Sequence, residues 1–335
     1  MRLRRNILSA LALVSMGISL ALPASAETAQ LRIAQQFGVS YLPLIVAKER
    51  GLIEKAAEKA GIPAPKVEWL QLSGAAAMNE ALISGSLDIA TAGAAPMITT
   101  WAKTRGSANV IGVLALGNVP NVLTTTNPNI KSLKDFTEKD RIALPAVKIG
   151  FQPQVLQMAA EKELGQFDKL DSLTVSMAHP DATAALLSGN SEVTAHFTSP
   201  PFVQQQLKDP RVHKVLSSYD VLGGPHTFNV AYTTGSFASQ NPKTVSAIIA
   251  GVEEATVWIR DNPAEAAKLY IQTEKSKLAP DFVEAIIRDP DIRYTIVPEK
   301  VEAFADFQYR VGTIKVKPQS WKDLFVPALH DRAGS

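Results

Sequence analysis

Histidine is the side chain best suited to acid–base or metal chemistry near neutral pH, and the chain has five: His179, His196, His213, His226 and His330. No two of them stand at a metal-ligand spacing, and neither H-E-x-x-H nor G-x-S-x-G occurs. A lone histidine is more often a structural hydrogen-bonder than a ligand. There is no cysteine, which removes disulfides, thiol nucleophiles and Cys-based metal sites together. No G-x-x-x-x-G-K-S/T loop is present either, so nucleotide hydrolysis belongs to a partner. The residue types exclude the common catalytic constellations and leave binding, with no cofactor and no metal expected.

The elements that must position such a site alternate in type. Leu31 to Gln35 reads as a strand, and Tyr41 to Lys59 as helical with Gly51 interrupting. Lys66 to Leu70 is a second strand, Ala75 to Ser84 a helix, Leu87 to Thr91 a third strand, and Pro96 to Lys103 begins another helix. Strands spaced by helices of this length predict βαβ units and a mainly parallel sheet. After Asn241 the chain turns helical over Pro242 to Arg260, Pro263 to Thr273, Pro280 to Arg288 and Pro298 to Val311, each opened by a proline at the first position.

The first residues set the compartment. Met1-Arg2-Leu3-Arg4-Arg5 is basic, Ile7 to Leu22 is an apolar run, and Ala24-Ser25-Ala26 is an A-x-A cleavage site. Together they predict a secretory signal peptide over 1–26 and a chain that begins near Glu27 in the periplasm. The absence of cysteine excludes a lipid-modified residue at the cut. The formal charge of +2 falls to about −1 once Arg2, Arg4 and Arg5 leave, so no basic excess remains for nucleic acid or an anionic membrane. Residues 27–335 are too many for one typical core and suit two lobes.

An internal repeat supports two lobes. Ala81-Leu82-Ile83-Ser84-Gly85 recurs as Ala185-Leu186-Leu187-Ser188-Gly189, Asp88-Ile89 matches Glu192-Val193, and Pro96 matches Pro200, all without a gap. Each copy reads as a helix ended by Gly, a short strand, a loop and a Pro-started helix. The turn-rich stretches Asn118 to Asn121 and Gly223-Gly224-Pro225 are the two crossings. Lobe one is then 27–121 with 225–335, which carries the C-terminal helices, and lobe two is 122–224.

Three segments resemble the nitrate/sulfonate/taurine-type periplasmic binding proteins, a group that includes proteins binding thiamine-pyrimidine precursors. These are Tyr41 to Leu52 with its Gly51-Leu52 end, Ser73-Gly74 through Ala81-Leu82-Ile83-Ser84-Gly85-Ser86-Leu87-Asp88, and the second copy from Ala185 to Phe202. The resemblance implies an α/β, two-lobed periplasmic binding protein of type II, its ligand cleft between lobes joined by two crossings. It implies a monomer that captures a small anionic solute such as a sulfonate, nitrate or taurine. The partners would be an ABC permease and its cytoplasmic ATPase.

The resemblance also implies the site: Gln36-Phe37-Gly38 with Tyr41, Ser73-Gly74-Ala75, Gly93-Ala94, Val147 to Phe151, and His196-Phe197-Thr198. Helix starts favour a negative group, and Gly74 lets an anion approach the backbone. Gln36, Ser73 and Thr198 would donate without a fixed charge, and Phe37, Tyr41, Phe151 and Phe197 would wall an organic part. Two segments depart from the family. Pro145 to Phe151 lacks the Gly-Ser of many sulfonate-type members. Phe197-Thr198-Ser199-Pro200-Pro201-Phe202 stands where many have a Trp-Asp-Pro-Tyr-like run, so a partner for an amine is missing. Enzymes of the same fold, of pyrimidine-precursor or menaquinone-pathway type, and a chemosensory binding protein are the alternatives. The missing cysteine counts against the first enzyme and the export signal against both.

Overall fold

The computed structural model describes residues 27–335; the expected signal peptide lies outside them. The chain opens with β1 (Gln30–Gln35), α1 (Leu42–Glu49), α2 (Leu52–Lys59), β2 (Lys66–Gln71), α3 (Ala75–Ile83), β3 (Ala90–Gly93), α4 (Ala94–Lys103) and β4 (Ile111–Ala115). It continues with β5 (Val122–Thr125), β6 (Ile142–Leu144), α5 (Phe151–Leu164), β7 (Thr174–Ser176), α6 (His179–Ser188), β8 (Ala195–Thr198), α7 (Phe202–Gln206), β9 (His213–Ser217) and α8 (Ser218–Leu222). It closes with β10 (Asn229–Thr233), α9 (Gly235–Gln240), α10 (Pro242–Asp261), α11 (Pro263–Glu274), α12 (Pro280–Ile287) and α13 (Val301–Arg310).

Local chemistry explains most of these limits. Gly51 separates α1 from α2 because it takes the left-handed conformation at φ 58°, which costs a side-chain-bearing residue strain. Pro242, Pro263 and Pro280 start α10, α11 and α12, where a missing N–H goes unfelt. Pro298 does not start the last helix. The chain turns through Lys300 at φ 53°, and α13 begins at Val301.

The strands form two sheets with one design. In the first, β10 pairs with β3 and β4, β1 pairs with β2, and an Ile33–Ile89 bridge joins the two parts. Ala34 N donates to Ile89 O at 3.1 Å across that bridge. The order is therefore β2-β1-β3-β10-β4. In the second the order is β7-β6-β8-β5-β9. Read by order of appearance after the crossing strand, the two arrangements are the same. Both sheets are mainly parallel, as the helix spacing predicts, with one strand in each running against the other four. β10 is antiparallel to β3 and β4, and β5 to β8 and β9, while β1–β2, β6–β7 and β6–β8 are parallel. The reason is the crossings: each sheet receives, in its interior, a strand arriving from the other side of the molecule.

The crossings run side by side. Asn118 bridges Thr227 in antiparallel fashion, and Phe228 N donates to Gly117 O at 3.1 Å. One apolar cluster continues from the first sheet, through Ile33, Ala92 and Val230, into the second, through Leu123, Leu144 and Phe197. Phe151 links them, its ring 4.7 Å from Phe228 and 5.2 Å from Phe304. Burying a ring of that size contributes about 1.5–3 kcal/mol. Beneath it, buried Gln308 on α13 donates to Gln154 Oε1 of α5 and to Ala95 O of α4, both at 2.7 Å.

Candidate functional site

Between the sheets lies a cavity of about 20 Å³, the room of about one ordered water. The first sheet's side supplies Gln36, Phe37 and Tyr41 after β1, Gly74 and Ala75 after β2, Gly93 at the end of β3 with Pro96, and Phe228 and Asn229 at the start of β10. The second supplies Pro145 and Ala146 after β6, Gly150, Phe151 and Gln152 at the start of α5, His179 at the start of α6, and Ser199 after β8. These positions lie beyond the carboxyl ends of parallel strands, where open α/β sheets hold their ligands.

Glycines let the two walls meet. A Cβ on Gly74 would stand 2.8 Å from Pro145 O, one on Gly38 3.0 Å from Pro200 O, and one on Gly93 would collide with the Phe151 Cβ. Each contact joins one side of the cleft to the other.

The electrostatics are uniform. Among the described residues, no Asp, Glu, Lys or Arg lines the wall. Burial holds the Tyr41 phenol well above its usual range and pushes His179 down to about 3, so both are neutral at pH 7. Four helices, α3, α4, α5 and α6, begin at this wall, and none has a side-chain cap. Part of that donor capacity is used inside the protein. Gly74 N donates to Gln36 Oε1 at 2.9 Å, and Ala94 N to Phe228 O at 2.8 Å. Two buried oxygens on the wall, Ser199 Oγ and Asn229 Oδ1, have no partner among the described residues. An unpaired buried polar atom costs about 1–3 kcal/mol, a cost that a bound polar ligand relieves.

Of the residues named from the sequence, Gln36, Phe37, Tyr41, Gly74, Ala75, Gly93 and Phe151 are on this wall. Gly38, Ser73, Ala94, His196, Phe197 and Thr198 are not. Ser73 is exposed. Gly38, at φ 115°, is pressed against Pro200. In β8 the side chains of His196 and Phe197 turn to opposite faces of the sheet, and both are fully buried. Phe197 belongs to the core, and His196 is hydrogen-bonded at both ring nitrogens. Within Val147 to Phe151, Lys148 is exposed and Val147 packs on the core, which leaves the wall uncharged.

The residues missed from sequence include His179, Ser199, Pro145, Ala146 and Asn229. The repeat carried a signal for two of them. The offset that takes Ala81 to Ala185 also takes Ala75 to His179 and Ala95 to Ser199, so His179 stands where Ala75 stands in the first copy.

A family model described as the NMT1-like family matches residues 24–272. The chain belongs to the NMT1-like family. This NMT1-like protein is 26% identical over 293 residues to a putative aliphatic sulfonates-binding protein of Bacillus subtilis, covering 86% of this chain and 83% of the relative. The alkanesulfonate-binding protein SsuA of Xanthomonas axonopodis, solved with MOPS bound, superposes with a TM-score of 0.67 at 22% identity, over 90% of this chain and 98% of that one. The periplasmic nitrate-binding protein NrtA of Synechocystis gives 0.68 at 17% identity, over 89% and 85%. The fold is that of the two-lobed periplasmic binding proteins, with the cleft between lobes joined by two crossings.

Proposed function

We propose that this protein is the solute-binding component of an ABC importer, taking up a small anion of the sulfonate or nitrate kind by lobe closure. The observation that carries the reading is the wall itself. It lies between two sheets of equal design, is free of charge, and is built from uncapped helix starts with neutral donors. Such a wall suits an anion, because helix starts and backbone N–H groups offer partial positive charge without a fixed cation. The relatives that bind sulfonates and nitrate support the same solute class.

Lobe one would run over 27–121 and 225–335, and lobe two over 122–224, with hinges in the paired crossings. Residues 1–26 would direct the chain to the periplasm, where it acts as a monomer that presents both lobes to a permease with its ATPase. Ligand that touches both walls shifts the open–closed population toward closed. The wall offers catalysis little, since among the described residues it holds no carboxylate, and burial makes His179 a weak base.

A thermal-shift screen of nitrate, bicarbonate, aliphatic sulfonates, taurine, carboxylates and pyrimidines tests the reading. A ligand at 100 times its Kd stabilises the native state by about 2.7 kcal/mol. Stabilisation by an anion is the expected result. Stabilisation by a cation or a neutral pyrimidine alone would overturn the solute class.

A further inference from the structure

Behind the cavity a chain of buried polar side chains runs from its wall into the second sheet. His179, on the wall, has its Nδ1 2.9 Å from His196 Nε2. His196 Nδ1 is 2.6 Å from the Gln206 side-chain nitrogen. That nitrogen also donates to Thr183 Oγ1 at 2.9 Å, while Gln206 Oε1 accepts from Thr124 Oγ1 at 2.7 Å. Thr198 Oγ1 stands 3.2 Å from His179 Nδ1. Gln206, His196 and Thr124 are fully buried.

The partners orient the amide. One end of the Gln206 amide meets two groups, His196 Nδ1 and Thr183 Oγ1; the other meets one, Thr124 Oγ1. An amide nitrogen carries two hydrogens fixed in its plane, whereas a threonine hydrogen rotates to suit. With the nitrogen at the two-partner end both hydrogens are paired. Reversed, one N–H would be buried with no acceptor, and that is costly. The nitrogen therefore donates to His196 Nδ1, which makes Nδ1 an acceptor. A neutral imidazole keeps one proton, so His196 carries it on Nε2 and donates it to His179 Nδ1. His179 in turn must carry its proton on Nε2, the ring nitrogen left without a partner among the described residues.

We propose that Gln206 is a positioning residue for ligand recognition: through His196 it fixes the proton of His179 on Nε2, so that the wall presents a neutral N–H donor to an acceptor oxygen of the ligand. Both rings stay uncharged, because burial holds His179 at about 3 and His196 well below its ordinary value. Donation without charge lets this position take an oxyanion or a carbonyl oxygen, while a group that offers only donors, such as an ammonium, finds no partner at the His179 nitrogen. The role toward ligand rests on the binding reading above.

The test is nitrogen NMR of ring-labelled histidine in the ligand-free protein, with signals assigned by single replacements. Nε2-protonated rings at both His179 and His196 are expected. An Nδ1-protonated His179 overturns the proposal. In Gln206→Met, whose side chain has similar reach and cannot donate, His179 should show both tautomers. A single unchanged tautomer there removes Gln206 from the role. Thr183→Val, which takes away one of the two acceptors that orient the amide, should give a weaker version of the same mixture and serves if Gln206→Met does not fold. With methanesulfonate as the probe, Gln206→Met should bind about tenfold more weakly than the unaltered protein, the loss of about one hydrogen bond. Equal affinity beside a changed tautomer would overturn the proposal. If the unaltered protein ignores methanesulfonate, the solute reading is at fault, and the tautomer is still decided by the ligand-free spectra.

Discussion

The two copies of the repeated unit begin alike and end differently. Each runs from a helix, α3 or α6, through a glycine with positive φ, Gly85 or Gly189, into a four-residue strand. The first strand is Ala90-Thr91-Ala92-Gly93 and passes at once into the ten-residue α4. The second is Ala195-His196-Phe197-Thr198, followed by Ser199-Pro200-Pro201 and the five-residue α7. Copy one thus gives the cleft small residues and a close-lying backbone. Copy two gives it a hydroxyl and an imidazole. One scaffold has been used twice, once to make room and once to supply polar chemistry.

Acid separates the copies most strongly. Burial lowers His179 to about 3 and His226 to about 4 and holds His196 well below its ordinary value, against about 6.5 in an unfolded chain. Between about pH 6 and 4 the unfolded chain binds protons that the folded one refuses, so stability falls as pH falls. Near pH 5 three such histidines give a slope of about 4 kcal/mol per pH unit. Asp171 and Glu274, raised by burial, oppose this only in the carboxylate range. Denaturant unfolding from pH 7 to 4.5 measures the slope. Because two of the histidines belong to copy two, hydrogen exchange should rise first in β5 to β9, and equal acid sensitivity in both sheets would contradict the comparison.

Room is the property of copy one. Gly93 has φ −58°, open to any residue, so Gly93→Ala changes space and not backbone strain. Its Cβ would collide with that of Phe151, which cannot swing away. Ligand affinity should fall about a hundredfold, equivalent to about 2.7 kcal/mol, and X-ray scattering should show a wider molecule. Unchanged dimensions would mean that the cleft closes without this contact. The smallest effect belongs to a single polar group of copy two. Ser199→Ala should keep the fold and weaken anion binding about tenfold, by loss of one hydrogen bond. A gain in affinity would show that the Ser199 hydroxyl is not used.

Much of this architecture could be read from the residues. The strands, the repeat and the turn-rich crossings follow from period, turn chemistry and spacing, which act over a few residues, whereas the loops expected at the site come from the family resemblance. What could not be read depends on three-dimensional partners. His196 lies in β8 and is fully buried, whereas His179 reaches the wall from the start of α6, a placement set by how that helix packs and not by any local pattern. The one reversed strand in each sheet depends on where β5 and β10 insert, a long-range choice with no local mark. The start of α13 moved from Pro298 to Val301 because Lys300 adopts a conformation that its residue type does not announce. His179 was accessible in principle, since the repeat offset leads to it from Ala75.

The insertion of β10 between β3 and β4 has a consequence for how the chain acquires its shape as it emerges from a ribosome or a translocation pore. All strands of the second sheet lie between Val122 and Ser217 and become available in one stretch. The first sheet cannot be completed until Asn229–Thr233 has followed, because β3 and β4 are joined through that strand. Contacts between distant segments form slowly, so the half of the molecule made first is the half finished last, and its unpaired edges are exposed meanwhile to proteases and to sticking.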